Sequence, residues 1–295
     1  MPLPDQPGPG EPRVDPSRKP PRRLTGEPAV LRPRRVLLAD IGNTSVSAAL
    51  ADGRTGRLLR RTRLPSASRP REVRRVLAEL CRGSGASPCR AVLSSVVPAA
   101  TVLWRAELAR VIGAPVLEVG PGLDLGFRLG SYPRPATIGP DRLADAAAAV
   151  WRHGAPVVTV NCGTATVVNV VDGRGIFLGG MILPGAPLFL EYLAARTALL
   201  PALRWRPMPR RLPGAGRSTE AAMRLGAAVG FAGMVEAAVA HARRALGRPG
   251  APVRLAGGYA DRLAGRLGPN VHADADMTLA GLWRIHMLNP DSGGA

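Results

Sequence analysis

Lysine is all but missing from this sequence: Lys19, inside a Pro/Arg-rich stretch, is the single lysine among 40 basic residues. That absence excludes chemistry. A P-loop needs a lysine beside its Gly-rich turn, a protein-kinase fold needs one on its third strand, and a pyridoxal enzyme needs one for its Schiff base. If the chain handles phosphate, it must use backbone N–H groups, hydroxyls, arginine and a metal ion. Cysteine is scarce as well. Cys81, Cys89 and Cys162 are odd in number and fit neither zinc spacing nor a disulfide framework, so reduced thiols in a cytoplasmic setting are expected. His153, His241, His272 and His286 are scattered and read as surface or packing residues. Every apolar run is interrupted by Arg, Glu or a Gly-rich turn, so none is expected to reach membrane-spanning length and no membrane partner is expected.

What is present is a hydrophobic content of 46% in 295 residues, enough to bury one large domain or two of ordinary size. The net charge of +19 is carried by arginines scattered along the chain, without an interleaved aromatic stripe. Charge without a motif does not specify nucleic acid, and no specific nucleic-acid partner is expected. Residues 1–33 are rich in Pro, Arg and Gly, lack periodic apolar positions and are expected to be a disordered tail, as are residues 290–295.

Between the tails, one local grammar occurs twice. The apolar run 36–39 ends in Asp40-Ile41-Gly42-Asn43-Thr44, then 45–50 alternates and Asp52-Gly53 turns the chain. The run 157–160 ends in Asn161-Cys162-Gly163-Thr164-Ala165-Thr166, then 167–171 leads to Asp172-Gly173 and a third run, 176–182. Asp-Gly between β-type runs signals a hairpin. Each copy therefore predicts three strands, with a polar turn after the first. Helices are predicted over 69–82, 100–112, 141–151, 187–199, 219–246 and 278–288, with further strands at 91–97, 115–118 and 253–256. The order is mixed α/β, not a purely parallel alternation.

Gly42 permits close backbone approach, while Asn43 and Thr44 can donate to phosphate oxygens and Asp40 can hold Mg²⁺ directly or through water. Two such turns facing one cleft would bind a nucleotide triphosphate without lysine. Gly139-Pro140-Asp141-Arg142 places a carboxylate and a guanidinium at a helix start. Asp141 there could accept the proton of a substrate hydroxyl attacking a γ-phosphate, and Arg142 could clamp an acidic group. The helix N-terminus is expected to lower the pKa of Asp141. Asp145, one turn further, reads as a solvated surface carboxylate.

Taken in order, these motifs resemble the type III pantothenate kinases of the acetate kinase/Hsp70/actin-like superfamily. The likeness spans about 36–289 and includes Asp40 to Thr44, Tyr132 set before Gly139 to Arg142, Cys162 to Thr166, the Gly179 to Gly185 segment, Ser218-Thr219, Gly257-Gly258 and Leu279 to Leu282. The resemblance implies a duplicated ribonuclease H-like (actin-like ATPase) α/β fold, two mixed-sheet halves (34–138 and 139–289) with a nucleotide cleft between them. It implies ATP-dependent phosphorylation of pantothenate to 4'-phosphopantothenate, the first step of coenzyme A synthesis, in a cytoplasmic homodimer. Asp40, Ile41, Gly42, Asn43, Thr44, Ser45, Val46, Ser47 and Thr164 would contact ATP with Mg²⁺. Tyr132, Gly139, Pro140, Asp141, Arg142 and Thr219 would hold pantothenate, with Asp141 as proton acceptor.

The departures from the family pattern are local. Asn161 stands where the family has an Asp that ligates a monovalent cation, K⁺ or NH₄⁺. An amide oxygen can still coordinate such an ion but brings no charge, which implies an altered cation dependence. Val167 and Asn169 replace a Thr and an Asp, and Pro140 replaces an Ala at a first helical position that tolerates proline. The competing expectations are a non-catalytic accessory or regulatory relative, and a kinase of the same superfamily acting on another small hydroxyl substrate.

Overall fold

The computed structural model describes residues 35–83, 87–206 and 211–290. The tail expected at 1–33, and that at 290–295 apart from Pro290, lie outside the described residues. The first half runs β1 (Arg35–Ile41), β2 (Ser45–Asp52), β3 (Leu58–Pro65), α1 (Pro70–Cys81), β4 (Arg90–Ser95), α2 (Pro98–Ile112) and β5 (Leu117–Glu118). After a short 3₁₀ turn, α3 (Pro140–His153) leads to β6 (Val157–Cys162), β7 (Ala165–Val171), β8 (Phe177–Pro184), α4 (Ala186–Arg196) and α5 (Thr219–Ala245). The chain then adds β9 (Val253–Gly257), α6 (Ala260–Ala264), β10 (Val271–Ala273) and α7 (Met277–Leu288). Sequence patterning predicts neither α6 nor β10, because segments of five and three residues are too short to carry a period.

The two five-stranded sheets have the same topology. Their orders are β3-β2-β1-β4-β5 and β8-β7-β6-β9-β10. In each, the first three strands are an antiparallel meander and the last two run parallel to the first. Even the irregularities correspond: the register shifts at Leu50/Ala51 in β2 and at Val170/Val171 in β7, both just before the Asp-Gly turn. This is the duplicated actin-like architecture.

Helices α1 and α2 cover one face of the first sheet through Val73, Leu77, Trp104 and Leu108. On its other face, Val36, Leu38, Ala49 and Val92 share a core with Leu143, Ala146 and Ala147 of α3 and Leu282 and Ile285 of α7. A run of alanines makes α3 small all round, so neighbours pack on several sides. Its closest neighbour is α7, where a Cβ on Gly281 would lie 1.9 Å from the Ala144 carbonyl oxygen. Only glycine admits that approach. It brings Thr278 of α7 against the start of α3.

Helix α5 corrects one expectation. Its 27 residues, with Gly226, Gly230 and Gly233 inside the predicted helix, are long and apolar enough to cross a membrane by length and composition. The glycines continue the helix because one face, including Phe231, Val235 and Val239, is buried in the core of the second sheet. Tertiary burial outweighs the roughly 1 kcal/mol that each helical glycine costs.

Candidate active site

The turn after β1 and the turn after β6 face each other. Thr44 Oγ1 and Thr164 Oγ1 are 2.8 Å apart, joining the tips of the two hairpins over 120 residues of chain. Each turn is closed by a backbone hydrogen bond, Gly42 N–H to Ser45 O at 3.1 Å and Gly163 N–H to Ala165 O at 3.1 Å. Ser66 braces the first turn, its N–H donating to Thr44 O at 3.1 Å. Beneath the tips lies a cavity of about 650 Å³, bordered by Asp40, Asn43, Ser47, Asp141, Asn161 and Gly257 among others. That size suits a nucleotide-sized ligand. Gly42, Thr44, Ser45 and Thr164 border it too, whereas Ile41 and Val46 turn their side chains into the core of the first sheet.

Asp40 is next to last in β1, beside its parallel neighbour β4, whose Ser94 hydroxyl donates to Asp40 Oδ1 at 2.8 Å. Burial, reinforced by the Asp141 charge, pushes the Asp40 carboxyl up to about 7, against the lowering effects of Ser94 and Arg63. Asp141 is also raised, chiefly by burial, although the Arg142 N–H donates to its Oδ1 at 2.9 Å. The expected lowering by the helix N-terminus is thus overridden, because desolvation of the charged form exceeds the help from backbone donors. The carboxylate folds back over the residue before the helix: a Cβ on Gly139 would lie 2.4 Å from Asp141 Oδ1. Pro140 occupies the first turn of α3, where no amide hydrogen is required.

Asp145 corrects a second expectation. It is not solvated but 1% exposed. The Thr278 hydroxyl donates to its Oδ1 at 2.6 Å, and Asn161 Nδ2 donates to its Oδ2 at 2.8 Å. Burial raises its carboxyl to about 8, with Asp141 and Asp40 adding to the rise and the two hydrogen bonds opposing it.

The residues expected to hold pantothenate are partly brought together. Arg142 is buried; its Nε donates to Asn169 Oδ1 at 2.8 Å and its guanidinium carbon lies 5.6 Å from the centre of the Phe177 ring. Asn169 is oriented in turn by donating to Thr159 Oγ1 at 3.1 Å. Tyr132 packs on the same Phe177, with ring centres 6.0 Å apart. Gly139, Pro140, Asp141 and Arg142 are consecutive around the start of α3. Thr219 stands apart, exposed at the first turn of α5 next to its cap Ser218, and it shares no hydrogen bond with the others.

Three contributors escaped sequence reasoning: Arg63, Thr278 and Asp145. Arg63 borders the cavity, its Nε donates to Ser45 Oγ at 2.8 Å, and it forms no ion pair among the described residues. Strand alternation could have placed it on the face opposite Leu64, but not in a cleft. No three His, Cys, Asp or Glu side chains among the described residues cluster closely enough to hold a metal ion by themselves. Asp40 borders the cavity together with the hydroxyl-bearing Thr44, Ser45 and Ser47, all oxygen donors of the kind that would hold a Mg²⁺ ion.

A duplicated actin-like fold here carries opposed hydroxyl-bearing turns with carboxylates in the cleft between them, an arrangement suited to phosphoryl transfer. Among solved structures, the fold is similar to that of a ROK hexokinase from Thermus thermophilus, with a TM-score of 0.51 at 18% identity over 88% of this chain and all of that one. The family model of the type III pantothenate kinases matches residues 36–241. A type III pantothenate kinase of Rubrobacter xylanophilus is 33% identical over 261 residues, covering 86% of this chain and 98% of the relative. One from Acidiphilium cryptum is 34% identical over 257 residues, covering 86% and 95%. The chain belongs to the type III pantothenate kinase family, enzymes that transfer phosphate to an alcohol.

Proposed function

We propose that this protein phosphorylates pantothenate with ATP, giving 4'-phosphopantothenate and ADP, the entry step of coenzyme A synthesis. The observation that carries the reading is the meeting of Thr44 and Thr164 at 2.8 Å above a cavity that also contains Asp40 and Asp141. The two turns offer N–H groups and hydroxyls to the triphosphate, and Arg63 adds the guanidinium charge that lysine would otherwise supply. Mg²⁺, held at Asp40, would offset charge on the phosphate oxygens. Asp141 orients the substrate hydroxyl and takes its proton as the oxygen attacks the γ-phosphorus and the bond to the β–γ bridging oxygen breaks. Burial raises the basicity of Asp141 above that of an ordinary carboxylate, which favours its role as proton acceptor. Arg142, held by Asn169 and Phe177, is placed to pair with the carboxylate of pantothenate.

A monovalent cation, K⁺ or NH₄⁺, completes the reading at Asn161. Its side chain borders the cleft, and a neutral oxygen there suits an ion that coordinates carbonyl-type ligands. The protein acts as a homodimer in this reading; Ile182, Tyr192 and Leu199 are exposed apolar side chains that a second copy would cover. The test is pantothenate-dependent ADP formation in a coupled assay. Asp141→Asn should lower kcat by about 10²–10⁴-fold, the range of a positioned general base. Undiminished turnover in that variant removes Asp141 from the mechanism.

A further inference from the structure

Three neighbouring strands of the second sheet each contribute one side chain to the support of Arg142. Thr159 of β6 and Asn169 of β7 are register partners, both buried, and Asn169 Nδ2 donates to Thr159 Oγ1 at 3.1 Å. The other end of the amide, Oδ1, accepts from Arg142 Nε at 2.8 Å. A guanidinium only donates, so the amide must turn its oxygen toward it and its nitrogen toward Thr159. From β8, Phe177 lies against the guanidinium, its ring centre 5.6 Å from Cζ. Phe127 and Tyr132 pack on that ring in turn, with centres 5.9 and 6.0 Å away. Arg142 is buried and forms no ion pair among the described residues. Its Nη1 and Nη2 make no hydrogen bond among those residues either, yet neither is sealed from solvent.

We propose that Asn169, backed by Thr159, is a positioning residue that occupies Nε of Arg142 and leaves the Nη1–Nη2 edge to receive the substrate carboxylate end-on, through two parallel hydrogen bonds. The inference rests on the pantothenate reading above and deepens it, from a guanidinium near the substrate to one defined mode of carboxylate binding. The side-on mode needs Nε together with one Nη, and it is closed because Nε is taken by Asn169. Phe177 closes one face of the guanidinium to stacking. A buried guanidinium without an acid partner carries a desolvation cost that an arriving carboxylate offsets and an uncharged group does not. Asp141, where the hydroxyl reacts, borders the nucleotide cavity, and Arg142 lies outside that lining. Asn169 therefore governs the preference for a carboxylate and not the rate of phosphoryl transfer. Without its oxygen, the buried Nε–H would compete for the incoming carboxylate and the end-on edge would be lost.

The experiment compares pantothenate with its alcohol analogue pantothenol, in which a CH₂OH group replaces the carboxylate and the reacting hydroxyl is kept. Initial rates of ADP formation give kcat/KM for each compound, and thermal unfolding of the full-length protein records stabilisation by each without nucleotide. The unaltered protein should prefer the carboxylate in both assays. Asn169→Ala should reduce the ratio of the two kcat/KM values about 10–100-fold, the scale of one hydrogen bond to a charged group. The change should enter through the KM for pantothenate, with kcat and the KM for ATP nearly unchanged. Thr159→Val should act in the same direction and more weakly, and Thr159→Ser should restore the ratio. Asn169→Asp, which keeps an acceptor for Nε, should keep most of the preference. Equal losses with both compounds, the mark of a merely structural role, overturn the proposal, as does an undiminished ratio in Asn169→Ala. An unaltered protein that neither prefers nor is stabilised by the carboxylate overturns it too, yet leaves the kinase reading standing if ADP forms. If Asn169→Ala does not fold, Thr159→Val and Thr159→Ser decide on the same ratio. Absence of ADP formation, with a carboxylate-specific stabilisation that these variants weaken, has the opposite meaning: the brace stands and the pantothenate reading falls.

Discussion

Gly281→Ala tests whether the α3–α7 contact sets the geometry of the site, and two opposed effects make its sign informative. Helix propensity alone favours alanine over glycine by about 0.8–1 kcal/mol, so an unconstrained helix would be stabilised. Packing opposes this. The new Cβ would lie 1.9 Å from Ala144 O and 2.5 Å from Ala144 C, both backbone atoms that no rotamer change can move aside. Relieving the clash requires the helices to part by roughly 1 Å, with an overpacking cost of about 1–3 kcal/mol. Thr278 and Asp145 flank the contact, and their 2.6 Å hydrogen bond lengthens with the shift. Weakening a bond to a buried carboxyl adds about 1–3 kcal/mol. The net expectation is a loss of about 1–5 kcal/mol, or a fall in Tm of about 2–20 °C for a domain of this size. Urea unfolding of the apo-protein measures the first figure and a thermal melt the second. A variant as stable as the parent would refute the argument, because α3 and α7 could then separate at no cost and the burial of Asp145 would not depend on their approach.

Removing the guanidinium in Arg63→Ala should raise the KM for ATP about 10–100-fold, the equivalent of one charge-assisted hydrogen bond, with the pantothenate KM nearly unchanged. Initial-rate kinetics with each substrate varied would show this, and equal effects on both substrates would place Arg63 elsewhere. The pH dependence of stability carries a third signature. The Asp145 carboxyl is raised to about 8 in the folded protein, while an unfolded Asp titrates near 3.9. Between these values the native state holds a proton that the unfolded state has released. Stability therefore falls as pH rises from about 4 to about 8, at up to about 1.4 kcal/mol per pH unit for this group. Urea titrations at several pH values should show a shallower slope in Asp145→Asn; an unchanged slope would assign the effect to other groups.

Much of the fold was legible because it repeats. Alternating strands, Asp52-Gly53 and Asp172-Gly173, and the polar turns at 40–44 and 161–166 are local signals, and the structure places both meanders where those signals lie. What was not legible depends on distant chain. Asp145 reads as a surface acid from its own neighbourhood; it becomes buried because Thr278, 133 residues later, arrives on α7. The shift of Asp141 inverted for a related reason: a helix N-terminus is visible in sequence, but the depth of its burial is not. Arg63 could be placed on a strand face, yet which face becomes the wall of a cleft is decided by the second half of the chain.

The two halves share a topology and differ in where they keep charge. Asp40 and Asn161 occupy equivalent places, each next to last in the central strand of its sheet. In the first half the parallel neighbour opposite Asp40 is Ser94, which donates to the carboxylate. In the second half the residue opposite Asn161 is Ala256, which has no side-chain donor. A carboxylate at 161 would meet no such help, and it would face Asp145, whose carboxyl already feels the charges of Asp40 and Asp141. An amide resolves both problems. Its N–H group donates to Asp145 Oδ2, and its oxygen adds no further acid to a cleft already bordered by Asp40, Asp141, Asp261 and Asp276. The neutral residue at 161 and the buried acid at 145 are thus one feature: changing either alone leaves the other wrongly partnered, and neither change can be judged from the turn in isolation.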